Sequence, residues 1–290
     1  MFDTFKNRLE LTGTLTTVTA LRISAGRSSE PIGSDLPVIK DALGNPLIPG
    51  SSFKGAMRSR LESFLRGIIG NNRKLVANPA IENEWSLTSQ EIKQLKENFS
   101  DDLALTEEII KHTDLVSSLF GSPWIASKFQ VRDLTVKSDT WFGQYQERDG
   151  VSIDRDTETA ADGKLYDFQV VPAGTQFEFK AIVENAEEWE LGLLMVGLHQ
   201  FETEQIPLGG GRSRGLGVVK LDIDKMYWLD VKNDPNKLLT YLQELISSNL
   251  GDQLPSYQDV KQSNLKQDWT DSLINYLQDL RKNKAKTHTT

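Results

Sequence analysis

The chain is 290 residues long, 38% hydrophobic and 26% charged, a composition that buries a full core without staples. It has no cysteine and three histidines (His112, His199 and His288), which excludes disulfides, thiolate zinc centres and a cysteine nucleophile and argues against a multi-histidine metal site. The longest uncharged apolar stretch, Leu191 to Leu198, is far short of the ~20 residues of a membrane helix, and the start, MFDTFKNRLELTG, lacks an apolar leader. These features predict a soluble, cytoplasmic protein with no membrane partner.

In chain order, residues 8–22 alternate in Leu, Thr and Val and predict a strand. A Gly, Ser and Pro-rich loop follows from Ser24 to Pro37, then a turn at Gly44-Asn45-Pro46. Ser51 or Ser52 is the expected N-cap of a helix reaching about Arg66, with Phe53, Met57, Leu61, Phe64 and Leu65 on one stripe. Residues 70–118 read as an insertion of polar helices, and 129–137 (FQVRDLTVK) as one alternating strand. The polar stretch 138–168, with Trp141, Phe142, Tyr145 and Tyr166, reads as a long hairpin or loop. A strand at 175–184, a helix at 188–202 and a strand at 216–224 follow. Strand, helix, strands, helix, strand is the order of a split βαβ, ferredoxin-like sheet. From Asp234 the pattern turns helical, with Asp234-Pro235 opening one helix and a second running through Trp269, Leu273, Tyr276, Leu277 and Leu280 to a basic end expected to fray.

A formal charge of −8 opposes nonspecific nucleic-acid binding by the chain as a whole, but the charge is unevenly spread. Residues 40–66 hold five basic side chains against two acids, and 208–220 hold Arg212, Arg214 and Lys220 with no acid. Acids crowd instead into 82–108, with eight Asp or Glu, and 184–204, with six Glu. Gly209 to Gly217 has five glycines in nine residues, which let the backbone approach a ligand, with two arginines to supply charge. It lacks the Gly-Lys-Ser/Thr ending of a Walker A loop and leads into a strand, unlike a dinucleotide fingerprint. The segment is either a glycine-rich turn with exposed arginines or a phosphate-backbone cradle, and the two arginines favour the cradle. Lys54 and Arg58 stand one turn apart near a helix start, either solvated or gripping phosphates. Asp35, between Gly and Pro-rich stretches, is either a turn former or a carboxylate that holds a hydrated cation. The aromatic residues of 138–168 either pack locally or stack on bases.

Four segments, in order, resemble the RAMP superfamily of CRISPR–Cas proteins, and more narrowly the repeating backbone subunit of type III (Csm/Cmr-type) effector complexes. They are DLPVIKDALGNPLIPGSSFKGAMRSRLE (35–62), LFGS with VRD (119–122 and 131–133), SIDRDTETAADGKLYDFQVVPAGTQFEF (152–179) and GGGRSRGLGVVKL (209–221). The match covers about residues 5–225. The resemblance implies an α+β, modified ferredoxin-like (RRM-like) RAMP domain over 1–230, with the helical insertion at about 70–118 and a protruding thumb hairpin at about 138–170. Residues 231–290 form a C-terminal helical extension outside it.

The implied function is a backbone subunit that binds a CRISPR guide RNA and cuts complementary target RNA at regular intervals, beside neighbouring RAMP subunits and other subunits of the complex. Carried over by motif, Asp35 is the catalytic carboxylate and ligand of Mg2+ (or Mn2+). Ser51, Ser52, Lys54, Arg58, Gly210, Gly211, Arg212, Arg214 and Arg22 hold guide RNA, and Ile153, Asp154 and Arg155 lie near the thumb tip. One alternative is a scaffold of the same architecture that binds guide RNA without cleaving. A guide-processing ribonuclease is disfavoured, because its general-base histidine has no counterpart between Met1 and Lys111. A generic ferredoxin-like binding domain is the reading without the family.

Overall fold

The computed structural model describes residues 4–26, 36–153, 160–231, 234–248 and 254–287, with 151–153, 160–165 and 283–287 described by backbone alone. Strand β1 (Asn7–Thr17) puts Leu9, Leu11 and Leu15 into the core and leaves the residues between them on the other face, as its alternation requires. It pairs antiparallel with both β7 (Gln176–Glu184) and β8 (Val219–Asp230), with Leu11 opposite Ala181 on one side and Met226 on the other. The register slips by one residue between Thr12 and Gly13, a bulge at which a Cβ on Gly13 would stand 2.4 Å from the Asp222 carbonyl oxygen. Strands β3 (Phe129–Val131) and β9 (Gln258–Asp259) complete a five-stranded antiparallel sheet in the order β3-β7-β1-β8-β9.

The expected single strand at 129–137 is two. After β3 the chain breaks at Arg132-Asp133, and β4 (Leu134–Thr135) pairs instead with β2 (Leu47–Ile48). The break seats helix α1 (Gly50–Ile69): a Cβ on Gly50 would stand 2.4 Å from the Val131 carbonyl oxygen, and the Gly50 N–H donates to Asp133 Oδ1 at 2.8 Å. The cap is therefore Asp133, 83 residues away, and neither Ser51 nor Ser52, because the helix begins at Gly50, ahead of both serines.

Helices α1 and α5 (Glu188–Glu202) pack together against the leucine face of the sheet. Phe53 of α1 stacks on Phe201 of α5 at 4.2 Å and meets Phe179 of β7 at 5.1 Å, all three fully buried. Truncating such a phenylalanine costs about 3–5 kcal/mol. A Cβ on Gly197 would stand 2.8 Å from the Met57 Sδ, so the two helices meet there with no room for a side chain.

The insertion carries α2 (Ser89–Asn98), α3 (Asp102–Lys111) and α4 (Leu115–Phe120). Its polar helices are set by their caps: Thr88 and Glu91 form a reciprocal capping box on α2, and Asp101 accepts from Ala104 N–H on α3. The apolar one, α4, buries Leu119 and Phe120 under α1.

Between the insertion and β7 lies an antiparallel hairpin of β5 (Gln146–Ile153) and β6 (Ala160–Val170). After β8, the tail goes round the sheet edge. Helix α6 (Pro235–Ser247) buries Tyr241 with Leu229, Val231 and Tyr257, apart from the main core. Helix α7 (Leu265–Thr287) lies on α5, with the Trp269 carbonyl oxygen 2.1 Å from where a Gly192 Cβ would stand and Tyr276 stacked on Trp189 at 4.8 Å. The backbone of α7 is helical to Thr287, with Arg281 and Lys282 in the half of the helix where the negative end of its dipole lies. Among the described residues no helix is long and apolar enough to cross a membrane.

Candidate nucleic-acid interface

The glycine loop is shaped by backbone that only glycine adopts freely. A short 3₁₀ turn, Arg212–Arg214, is bracketed by Gly211 and Gly215 in the left-handed region (φ 78° and 79°). Gly209 (φ 72°) lies against the segment after β1, where a Cβ would come within 2.0 Å of the Arg22 carbonyl oxygen. Gly210 N–H donates to that same oxygen at 2.8 Å, and Gly217 N–H donates to Ala20 O at 2.9 Å. The loop is thus laid onto Ala20–Ile23, and Leu216 drops into a small apolar cluster with Ala20, Phe168 and Val170, rimmed by Leu36 and Tyr166.

Three arginines meet at this corner. Arg214 Nη1 donates to the Tyr166 hydroxyl at 3.1 Å, and that hydrogen bond holds the phenol below its usual range. The Arg22 guanidinium lies over the Phe168 ring at 4.5 Å. Arg212, exposed, turns its Nε to Gly209 O at 3.2 Å. Among the described residues, no carboxylate stands within ion-pair distance of any of the three. Three guanidiniums without a described carboxylate partner, on a glycine-lined surface, are an arrangement able to take an anion.

The loop expected to carry catalysis ends here. Leu36 bridges to Phe168, and Gln169 N–H donates to Leu36 O at 3.1 Å, so the chain neighbour of Asp35 is pinned to β6 beside the ring under Arg22. Asp35 itself lies outside the described residues, as do Asp154 and Arg155; Ile153 is described as backbone at the end of β5. Phe168, part of the corner, is a residue that sequence reasoning missed. Its signal was the i, i+2 spacing to Tyr166 on one face of a strand, weak without a known partner.

Lys54 and Arg58 are placed differently. Arg58, expected to face phosphates beside Lys54, turns its fork inward: Nε to Glu62 at 2.8 Å, Nη1 to Gly121 O at 2.9 Å and Nη2 to Ser117 Oγ at 2.9 Å. Glu62, 5% exposed, is also held by Arg66 at 3.2 Å. Lys54 Nζ donates to Ser127 Oγ at 2.6 Å, and burial, with Arg58 nearby, pushes its pKa down to about 8. Among the described residues no carboxylate pairs with Lys54. Ser51 is exposed and Ser52 half-buried at the helix start. No hydrogen bond or ion pair among the described residues joins α1 to the arginine corner.

The described residues contain no cluster of three His, Asp or Glu that could cage a metal. His112 and His199 are satisfied locally, against Glu108 O at 2.9 Å and Glu202 Oε2 at 3.1 Å.

The sequence matches known proteins over most of its length. The family model of the RAMP superfamily matches residues 14–220. The CRISPR system Cms endoribonuclease Csm3 of Enterococcus italicus is 25% identical over 223 residues, covering 76% of this chain and 92% of that protein. The protein of the same name from Streptococcus thermophilus is 27% identical over 209 residues, covering 70% and 82%. The one from Mycobacterium tuberculosis is 48% identical over 56 residues, 19% of this chain and 24% of that protein. The glycine loop and the segment after β1 fall inside the matched region, and the chain belongs to the RAMP superfamily, among relatives of the Csm3 subunits of CRISPR systems.

Proposed function

We propose that this chain is a guide-RNA-binding backbone subunit of a type III CRISPR interference complex, and that it cuts guide-complementary target RNA at regular intervals. The carrying observation is the arginine corner with Leu36 pinned to it: an uncompensated anion site and the end of the Asp35 loop share one apolar cluster. The names of the relatives, endoribonucleases, point the same way. The strand order β3-β7-β1-β8, with α1 and α5 on one face, supports a ferredoxin-like RAMP core. The hairpin of β5 and β6 is then the thumb, with Ile153, Asp154 and Arg155 near its turn.

In this reading Arg22, Arg212 and Arg214 hold guide phosphates, Gly210 and Gly211 let the RNA backbone approach, and Lys54 with Ser51 and Ser52 forms a second contact. Arg58 braces the helix from inside. Cleavage is attack of a ribose 2′-oxygen on the adjacent phosphorus, breaking the bond to the 5′-oxygen of the next nucleotide. Mg2+ or Mn2+ would neutralise charge on that phosphate, with Asp35 as its protein ligand. The thumb contributes geometry, since splaying a base frees the backbone to reach in-line alignment.

The test is cleavage of guide-complementary RNA by the assembled complex with Mg2+, wild type against Asp35→Ala. The expected result is loss of the regularly spaced cuts with guide and target binding intact. Persisting cuts would reduce the protein to a guide-binding scaffold.

A further inference from the structure

Two turns at the base of β5 hold apolar side chains out into solvent. Leu43 is 86% exposed and Phe142 88%. Each stands next to a glycine with positive φ, Gly44 (82°) and Gly143 (74°), where an added Cβ would meet nothing within 4 Å. The turns are nevertheless built, not loose. The Tyr145 hydroxyl donates to Gly44 O at 2.6 Å, Trp141 packs on Tyr145 at 4.9 Å, and the Lys40 ammonium lies over the Tyr145 ring at 4.3 Å. Burial of that ring pushes the Tyr145 hydroxyl up to about 12, so it stays a donor. The carboxylate of Asp41 is taken up by its own turn, accepting from the N–H groups of Leu43 and Asn45 and from the Asn45 amide. Lys40 has no carboxylate within ion-pair distance among the described residues. The core uses Trp141 and Tyr145 and leaves Phe142 out.

The position of this patch gives it a partner. Leu36 to Lys40 runs extended from Phe168, beneath Arg22, to the Lys40–Pro46 bridge, with Ile39 N–H donating to Ile23 O at 2.9 Å on the way. Four residues of extended chain span about 13 Å. The segment therefore leads from the arginine corner to Lys40, whose ammonium lies over Tyr145, three residues along the chain from the bare ring. An exposed aromatic on a turn whose neighbouring ring carries a cation suits an unstacked base and its phosphate. Two side chains offer far too little area for a protein interface, which needs ~800 Å² on each partner.

We infer that Phe142 is a stacking platform for one unpaired nucleobase of the RNA held at the arginine corner, with Lys40 meeting the adjoining phosphate. This rests on the proposed RNA-binding reading and adds a contact outside the glycine loop and the hairpin turn.

The experiment uses the assembled complex loaded with guide RNA carrying 5-iodouridine at successive positions. Photocrosslinks to Phe142 are expected at a fixed register. Phe142→Ala should weaken guide-RNA binding by about 5- to 150-fold, the range for one stacked base. Phe142→Trp should restore it and Phe142→Leu should not, with melting temperatures unchanged throughout because the ring touches no core. Crosslinks absent and Phe142→Ala binding like wild type, in a complex that still carries RNA, would overturn the platform alone. Full binding by Phe142→Leu, or lost subunit assembly with RNA affinity intact, would also overturn it in favour of an apolar or protein contact. A wild-type complex carrying no RNA would overturn the RNA-binding reading as well.

Discussion

Lys54 and Arg58 on α1, and Arg212 and Arg214 on the glycine loop, are cation pairs at short spacing beside glycines, and along the chain they read alike. In the fold they part. The α1 pair lies against the 117–127 segment, where Arg58 satisfies a buried carboxylate, a carbonyl and a hydroxyl, and Lys54 loses water without gaining a counter-ion. The loop pair stays exposed, tethered by one hydrogen bond each to a tyrosine and to the loop's own backbone. What separates them is what the fold needs from each. A helix buried against a sheet must account for every polar group on its flank, whereas a turn made of left-handed glycines needs nothing from its side chains.

The sharpest way to break this contrast is at the glycines. Gly209→Ala forces a left-handed alanine whose Cβ would lie 2.0 Å from the Arg22 carbonyl oxygen. Strain and overpacking together should cost about 3 kcal/mol or more, lowering the melting temperature by roughly 6–12 °C and abolishing RNA retention by the purified protein. Gly210→Ala, at a position where a Cβ would meet nothing within 4 Å, should leave the melting temperature unchanged. Equal effects from the two would mean that the loop does not sit on the Ala20–Ile23 segment.

A crossed pair comes next. Arg58→Ala strips one partner from Glu62 and leaves Gly121 O and Ser117 Oγ short of a donor, while Arg66 still holds the other carboxylate oxygen. The expected loss is about 2–3 kcal/mol, or ~5–10 °C in melting, with RNA affinity of the folded protein unchanged. Arg214→Ala should do the reverse. Its stability should stay within ~0.5 kcal/mol of wild type, while RNA affinity falls about tenfold and the salt slope shrinks by about one. A melting curve and a salt-titrated binding isotherm on each variant decide it. If Arg58→Ala melts like wild type and loses affinity, the helix pair is the RNA contact after all.

How much of this was legible beforehand follows from range. The leucine alternation of β1, the α1 stripe and the α5 stripe are local periodicities, and each element appears where its period predicts. The glycine loop was legible as a turn-forming segment, since four of its five glycines, Gly209, Gly211, Gly215 and Gly217, take the left-handed φ that favours glycine. The failures are all long-range. The cap of α1 comes from Asp133, and that use of Asp133 splits 129–137 into two strands. Nothing within ten residues of either site signals it. Arg58 turning inward depends on Gly121 and Ser117, 63 and 59 residues away, in an insertion whose packing no period encodes. The partnership of Arg22 with Phe168 is of the same kind.

The smallest expected effect bears on whether Lys54 belongs with its neighbour Arg58 or with the arginine corner. Its pKa falls to about 8 from 10.5 because burial disfavours the ammonium, with Arg58 adding repulsion. A lowered lysine makes folding costlier wherever both states would be charged, so the penalty is fully present below pH 8. Between pH 8 and 10.5 the unfolded chain holds a proton that the folded chain has released, and stability therefore climbs with pH across that window. Lys54→Met removes the group, so the stability of wild type relative to the variant should rise by about 1–2 kcal/mol from pH 7.5 to 10, less than the whole shift because the amine keeps partial contact with water. RNA supplies the second arm. A phosphate against Lys54 would restore the missing counter-ion and raise the pKa, so binding would take up a proton and weaken as pH rises through 8 to 9.5 in wild type but not in Lys54→Met. Identical pH slopes in the two proteins, with the stability difference intact, would place Lys54 beside Arg58 as a structural cation and leave the RNA to the glycine loop.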